Sequence, residues 1–134
     1  MEGMRHMAYY FTKVLDTDME SAIKSVTEAL AAEGFGVLTE IDVQATLKKK
    51  IDVDFRPYRI LGACNPGFAH KALLEEDKVG TMLPCNVIVQ DAGNGKTEVS
   101  AVDPMASMAA ITNPALEGIA GEVRTKLQRV IDSL

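Results

Sequence analysis

Tryptophan is absent from the 134-residue sequence and aromatic residues make up only 5% of it. The core therefore has to be assembled from Val, Ile, Leu, Ala and Met, with seven methionines as adaptable filler. No apolar run approaches the ~20 residues of a membrane span, and no charged-then-apolar signal segment opens the chain. Both absences point to a cytoplasmic protein with no membrane partner. Basic residues are scattered apart from Lys48-Lys49-Lys50, and the net charge is −5. Without a positive stripe to neutralise a phosphate backbone, nucleic-acid binding is disfavoured. Cysteine occurs only at Cys64 and Cys85, so two reduced thiols are expected rather than a disulfide framework. Neither C-x-x-C nor H-x-x-x-H occurs, and no metal site is expected. Gly34-Phe35-Gly36 lacks the flanking strand and helix of a dinucleotide fingerprint, and no motif specifies a cofactor.

What the chain does contain is patterned for one α+β domain over residues 8–134, with residues 1–7 read as a disordered leader and His6 left outside any site. Residues 8–14 are rich in strand formers, with Tyr10, Thr12 and Val14 on one face. Thr17 and Glu20 match a capping box, opening a helix in which Met19, Ala22, Ile23, Val26 and Leu30 recur at helical spacing; Gly34 is placed to end it. Residues 35–41 alternate as a second strand. Asp42 is placed to cap a short helix lined by Val43, Leu47 and Ile51, with the three lysines at its solvated end.

A third strand is expected over residues 58–63, followed by a helix with Asn65 as cap and Pro66 as first residue. Glu75-Glu76-Asp77-Lys78 reads as a charged loop. Residues 81–89 are apolar around Pro84, which puts the strand start after the proline or the proline at an edge or bulge. Residues 91–96 signal a turn, and 97–102 return antiparallel to 87–90. Asp103-Pro104 and Asn113-Pro114 repeat the cap-then-proline device. The closing helix carries Leu116, Ile119, Ala120, Val123, Leu127, Val130 and Ile131 as an apolar stripe, and Gly118 and Gly121 are read as allowing it to pack closely on the sheet. The order of elements predicts a largely antiparallel, curved sheet with helices packed on one face.

Chemistry is expected where Cys64-Asn65 and Cys85-Asn86 interrupt the apolar strands, with His70 one turn into the helix between them. Cys64, Asn65, His70, Cys85 and Asn86 are the candidate ligand-binding residues; no catalytic residue is identifiable. Lying just before a helix N-terminus, Cys64 is placed where a thiolate is favoured. A small buried apolar residue is the bland alternative, and the same holds for Cys85. If the third strand neighbours the one after Pro84, the two cysteines lie side by side, as a redox pair, a soft-metal site or a persulfide relay would require. Asp103 is fully explained as a helix cap.

Gly34-Phe35-Gly36-Val37, Glu40-Ile41-Asp42-Val43, the run from Tyr58 to Pro66, Leu83-Pro84-Cys85-Asn86-Val87 and Asp103-Pro104 together resemble the bacterial and archaeal family called domain of unknown function 302. The resemblance covers about residues 8–134. It implies a β-α-β(4)-α arrangement similar to the TATA-binding-protein-like fold, and a homodimer, but no activity or catalytic residues. The leading expectation is a small-ligand-binding homodimer with its pocket at the two Cys-Asn corners. A thiol redox or sulfur-carrier enzyme using Cys64 and Cys85 is the first alternative, and a protein-interaction module the second.

Overall fold

The computed structural model describes residues 3–134. Among these, strands β1 (Arg5–His6), β2 (Tyr10–Leu15), β3 (Gly36–Asp42), β4 (Tyr58–Cys64), β5 (Cys85–Gly93) and β6 (Lys96–Val102) form one sheet in the order β1-β2-β6-β5-β4-β3. All its pairings are antiparallel. Register decides which side chains share a face, because successive residues of a strand point to opposite sides. Phe11 opposes Ala101, Ala101 opposes Val87 and Val87 opposes Leu61, while Val99 opposes Val89. All of these are fully buried.

That face is covered by α1 (Met19–Ala32) and α5 (Pro114–Asp132), whose Ala22, Val26, Leu30, Val123, Leu127, Val130 and Ile131 complete the same core. A smaller cluster of Ala72, Val79, Met108, Leu116 and Ala120 joins α3 (Pro66–Glu75) and α4 (Pro104–Ser107) to the start of α5. The remaining helix, α2 (Val43–Ile51), buries no residue and leaves Ile51 63% exposed. The expected α+β class and antiparallel sheet are thus present.

The three cap-then-proline devices all operate: Asn65, Asp103 and Asn113 accept from the first free N–H groups of α3, α4 and α5. Asp42 caps α2. The strand near Pro84 starts just after it, at Cys85.

Four expectations need correction. The cap of α1 is Asp18, which accepts from the Ser21 N–H at 2.7 Å, and not Thr17. The Thr17 carbonyl is instead taken by the Thr97 hydroxyl, which ties that residue to the sheet. Residues 75–78 are not a simple charged loop but lead into a 3-10 segment, Asp77–Met82, anchored by buried Val79. A side chain at Gly118 would meet nothing within 4 Å, and one at Gly121 would only touch the Met105 sulfur at 4.0 Å. Neither glycine is needed for helix-on-sheet packing, since both lie off the buried stripe of α5.

The fourth concerns the leader. Met1 and Glu2 lie outside the described residues, but Arg5 and His6 pair with Thr12 and Phe11 as the edge strand. His6 stacks on Phe11 with 4.5 Å between ring centroids, and its Nε2 lies 2.8 Å from Asp103 Oδ2.

Asp103 is 3% exposed and is the hub of this corner. Its carboxylate accepts from the Met105 N–H and the Arg124 guanidinium and meets His6, and its own N–H donates to the Tyr9 carbonyl. One side chain therefore joins β1, β6, α4 and α5. Removing a buried, multiply bonded carboxylate strands its partners. Asp103→Ala is expected to lower the unfolding free energy by roughly 3 kcal/mol, and Asp103→Asn, which keeps an acceptor for the cap, by less. Urea unfolding of both variants provides the measurement.

Candidate functional site

The pairing of β4 with β5 sets Ala63 opposite Cys85, so Cys64 is diagonal to Cys85 across neighbouring strands. Both cysteines are free and both line a cavity of about 380 Å³. The condition for bringing the two Cys-Asn corners together is met. Where they differ is in the asparagines. Asn65 follows the end of β4, outside the alternation of the strand, and lines the cavity with Cys64. Asn86 lies inside β5, so the pleat that turns Cys85 toward the cavity turns Asn86 to the opposite face of the sheet. There Asn86 is exposed and borders two other grooves.

His70 is also exposed and does not line the cavity. The cavity face of α3 is Ala69, Ala72 and Leu73, and His70 is rotated about 100° from Ala69 on a helix of 3.6 residues per turn. Of the five candidate residues, then, Cys64, Asn65 and Cys85 share one site, while His70 and Asn86 point elsewhere. The helical offset is legible from spacing alone.

Most of the cavity wall is apolar and comes from residues that no polar pattern marks. Leu116, Ile119, Ala120 and Val123 on α5 form one side, with Phe35, Leu83, Pro104 and Met108 around them. Their signal in the sequence is the breadth of the α5 stripe, wider than packing on the sheet requires. Thr39 and Pro84 close the sheet end. They meet across Gly62, where an added Cβ would lie 2.1 Å from Thr39 Oγ1 and 2.8 Å from Pro84 Cγ. Only a residue without a side chain lets both approach.

The polar groups at the site are already occupied in part. The Asn65 side-chain oxygen accepts from the Phe68 N–H at 3.4 Å, and its amide nitrogen packs over Gly34, where an added Cβ would be 3.0 Å away. Gly34 holds φ +86°, a left-handed conformation that glycine adopts without penalty. Burial, and secondarily the neighbouring Cys64 thiol, pushes the Cys85 pKa up to about 11. Cys85 is thus a protonated thiol at neutral pH. Among the described residues no group of three or more His, Cys, Asp or Glu is placed to hold a metal ion. No helix among them is long and apolar enough to cross a membrane.

Residues 11–134 match the family described as "Domain of unknown function DUF302". The chain belongs to the DUF302 family. A solved relative, the crystal structure of an uncharacterized conserved DUF302 protein from Bacillus stearothermophilus, superposes with a TM-score of 0.84 at 35% identity. The match covers 92% of this chain and 95% of that one. No curated protein matches the chain. The cavity therefore sits on a fold that this chain shares with a solved DUF302 protein.

The two thiols of this DUF302 chain should behave differently. Cys64, partly exposed at the cavity, is expected to alkylate with iodoacetamide in the native state, with Cys85 protected until unfolding; peptide mass mapping distinguishes them. The linkage to stability follows from a folded pKa raised above the unfolded value of 9.0. Its contribution is complete below pH 9 and is lost as pH rises from about 9 to about 11. The loss should be on the order of 2–3 kcal/mol in urea titrations and absent in Cys85→Ala.

Proposed function

We propose that this DUF302 protein is a cytoplasmic homodimer that binds a small, largely apolar molecule in the cavity between α3, α5 and the ends of β3, β4 and β5. The observation that carries this reading is the cavity itself. At about 380 Å³ it falls within the ~300–1,000 Å³ of small-molecule sites. Its lining is apolar except at one corner, where Thr39, Cys64, Asn65 and Cys85 gather. An apolar body with a few convergent polar groups is the usual division of labour in such sites: burial supplies affinity, and the polar corner sets orientation.

The ligand is then better described as an apolar body with one small polar end than as a polar molecule held by two asparagine amides. Asn65 is engaged as a cap and Asn86 faces away. Cys64, with the start of α3 beside it, is the group available to meet the polar end.

The thiol-enzyme alternative receives less support. A resolving cysteine has to supply or accept a thiolate readily, and the raised pKa of Cys85 works against that role.

Fluorescence titration with the apolar probe N-phenyl-1-naphthylamine tests the ligand reading. Wild type is expected to bind it at micromolar concentration. Ala120→Phe, which fills the cavity from the α5 wall, should weaken binding at least tenfold while a thermal melt stays cooperative, and His70→Ala should leave it unchanged. No binding by wild type, or equal binding by Ala120→Phe, would show that the cavity is not the site.

A further inference from the structure

Positive charge collects at one edge of the cavity. On α5 the wall is Leu116, Ile119, Ala120 and Val123. Lys126 follows Val123 by three residues and Ile119 by seven, which places it one turn further along the same helical face. It is partly buried, so its methylene stem prolongs the apolar wall and its ammonium stands where that wall gives out. Lys126 Nζ lies 5.9 Å from the ring centre of Phe68, a cavity-lining residue, and Lys71 Nζ of α3 lies 5.5 Å from the same centre. Two ammonium groups from two helices thus meet over one ring, a single helical turn past Cys64.

Little at this edge offsets those charges. Glu33, next to the Gly34 on which Asn65 packs, comes within 3.9 Å of Lys126, the outer limit of an ion pair. That carboxylate is already held by Arg129, which donates three hydrogen bonds of 2.8, 3.2 and 3.3 Å to it. Among the described residues Lys71 makes no ion pair, although Glu75 lies one turn further along α3. An aromatic face attracts a solvated cation only weakly, and two like charges over one ring repel each other. The chain as a whole carries −5, so a cationic edge on its apolar cavity runs against the general charge of the surface.

We infer that the molecule taken by the cavity is an amphipathic carboxylate, with its hydrocarbon body between α3 and α5 and its carboxylate at the Phe68 edge between Lys71 and Lys126. The inference rests on the ligand reading above and names the chemistry of the polar end. Both ammonium groups ride on flexible four-carbon stems and can close on an anion that emerges past the ring. An anion there would also relieve the repulsion between them. Two point charges suit a carboxylate better than a phosphate, which calls for more donors. The start of α3 supplies few: Pro66 has no N–H, and the Phe68 N–H is taken by Asn65. Size sets the body. About 380 Å³ is more than twice the ~150 Å³ of a cavity that takes benzene, so a chain of roughly ten carbons fits.

Displacement of N-phenyl-1-naphthylamine at neutral pH tests the inference, with decanoate, 1-decanol and decyltrimethylammonium as competitors below their micelle concentrations. Decanoate is expected to release the probe from wild type at a concentration at least tenfold lower than 1-decanol, with decyltrimethylammonium the weakest of the three. Lys71→Met combined with Lys126→Met keeps the apolar stems and removes both charges. It should weaken decanoate at least tenfold and leave the probe and 1-decanol unchanged, while Lys71→Arg with Lys126→Arg should keep the preference for decanoate. The ranking on wild type decides the matter if the methionine variant does not fold. Wild type that releases the probe equally to decanoate and 1-decanol, or a folded methionine variant that keeps the full preference, overturns the carboxylate and leaves the apolar cavity reading standing. Wild type that binds no probe overturns both.

Discussion

The alternation of side chains along β2, β6, β5 and β4 is the constraint on which the rest of the molecule depends. One residue parity faces α1 and α5, and it is there that Phe11, Leu61, Val87, Val89, Val99 and Ala101 are fully buried. The other parity carries Ile41, Ile60 and Ile88. Neither set can change places without moving every side chain in a strand, because a slip of one residue exchanges the two faces. Cys85 and Asn86 are separated by the same rule. The Cys-Asn dipeptide looks like a unit in the sequence, but inside a strand its two members cannot serve one site.

This explains why part of the site was legible in the sequence and part was not. Local devices were legible because their physics is local: Asn65-Pro66, Asp103-Pro104 and Asn113-Pro114 each satisfy a free N–H within three residues. The hairpin between β5 and β6 belongs to the same class. Asp18 took the cap of α1 from Thr17 because the Thr17 carbonyl is bound by Thr97, 80 residues away. No window around Thr17 contains that information. His6 is the same case, since its partners Phe11 and Asp103 come from two different strand ends. Polar residues mark only one corner of the cavity; its α5 wall, Leu116, Ile119, Ala120 and Val123, has the composition of ordinary core.

Asp103 shows how one residue can be read correctly and incompletely. As a cap it needs only the Met105 N–H. Burial at 3% exposure makes its other bonds obligatory, because an unpaired carboxylate oxygen in that position would carry the full desolvation penalty. Arg124 from α5 and His6 from β1 fill that requirement. The capping role fixed the residue type; the burial recruited the edge strand and the closing helix to it.

The cavity has to be reconciled with the marginal stability of domains. At ~24 cal/mol per Å³ of unfilled space, a sealed void of about 380 Å³ would cost about 9 kcal/mol, comparable with the whole net stability of a domain. Small side chains at Ala69, Ala72 and Ala120 keep it open, although larger apolar residues at those positions would fill it. The penalty falls if the space is wetted at its mouth, where Leu38 is 69% and Leu73 44% exposed, and it falls further if an apolar molecule occupies the rest. Three alanines around such a space, in a fold that packs Phe11, Leu61 and Leu127 to complete burial in its main core, are what the proposed apolar ligand would require.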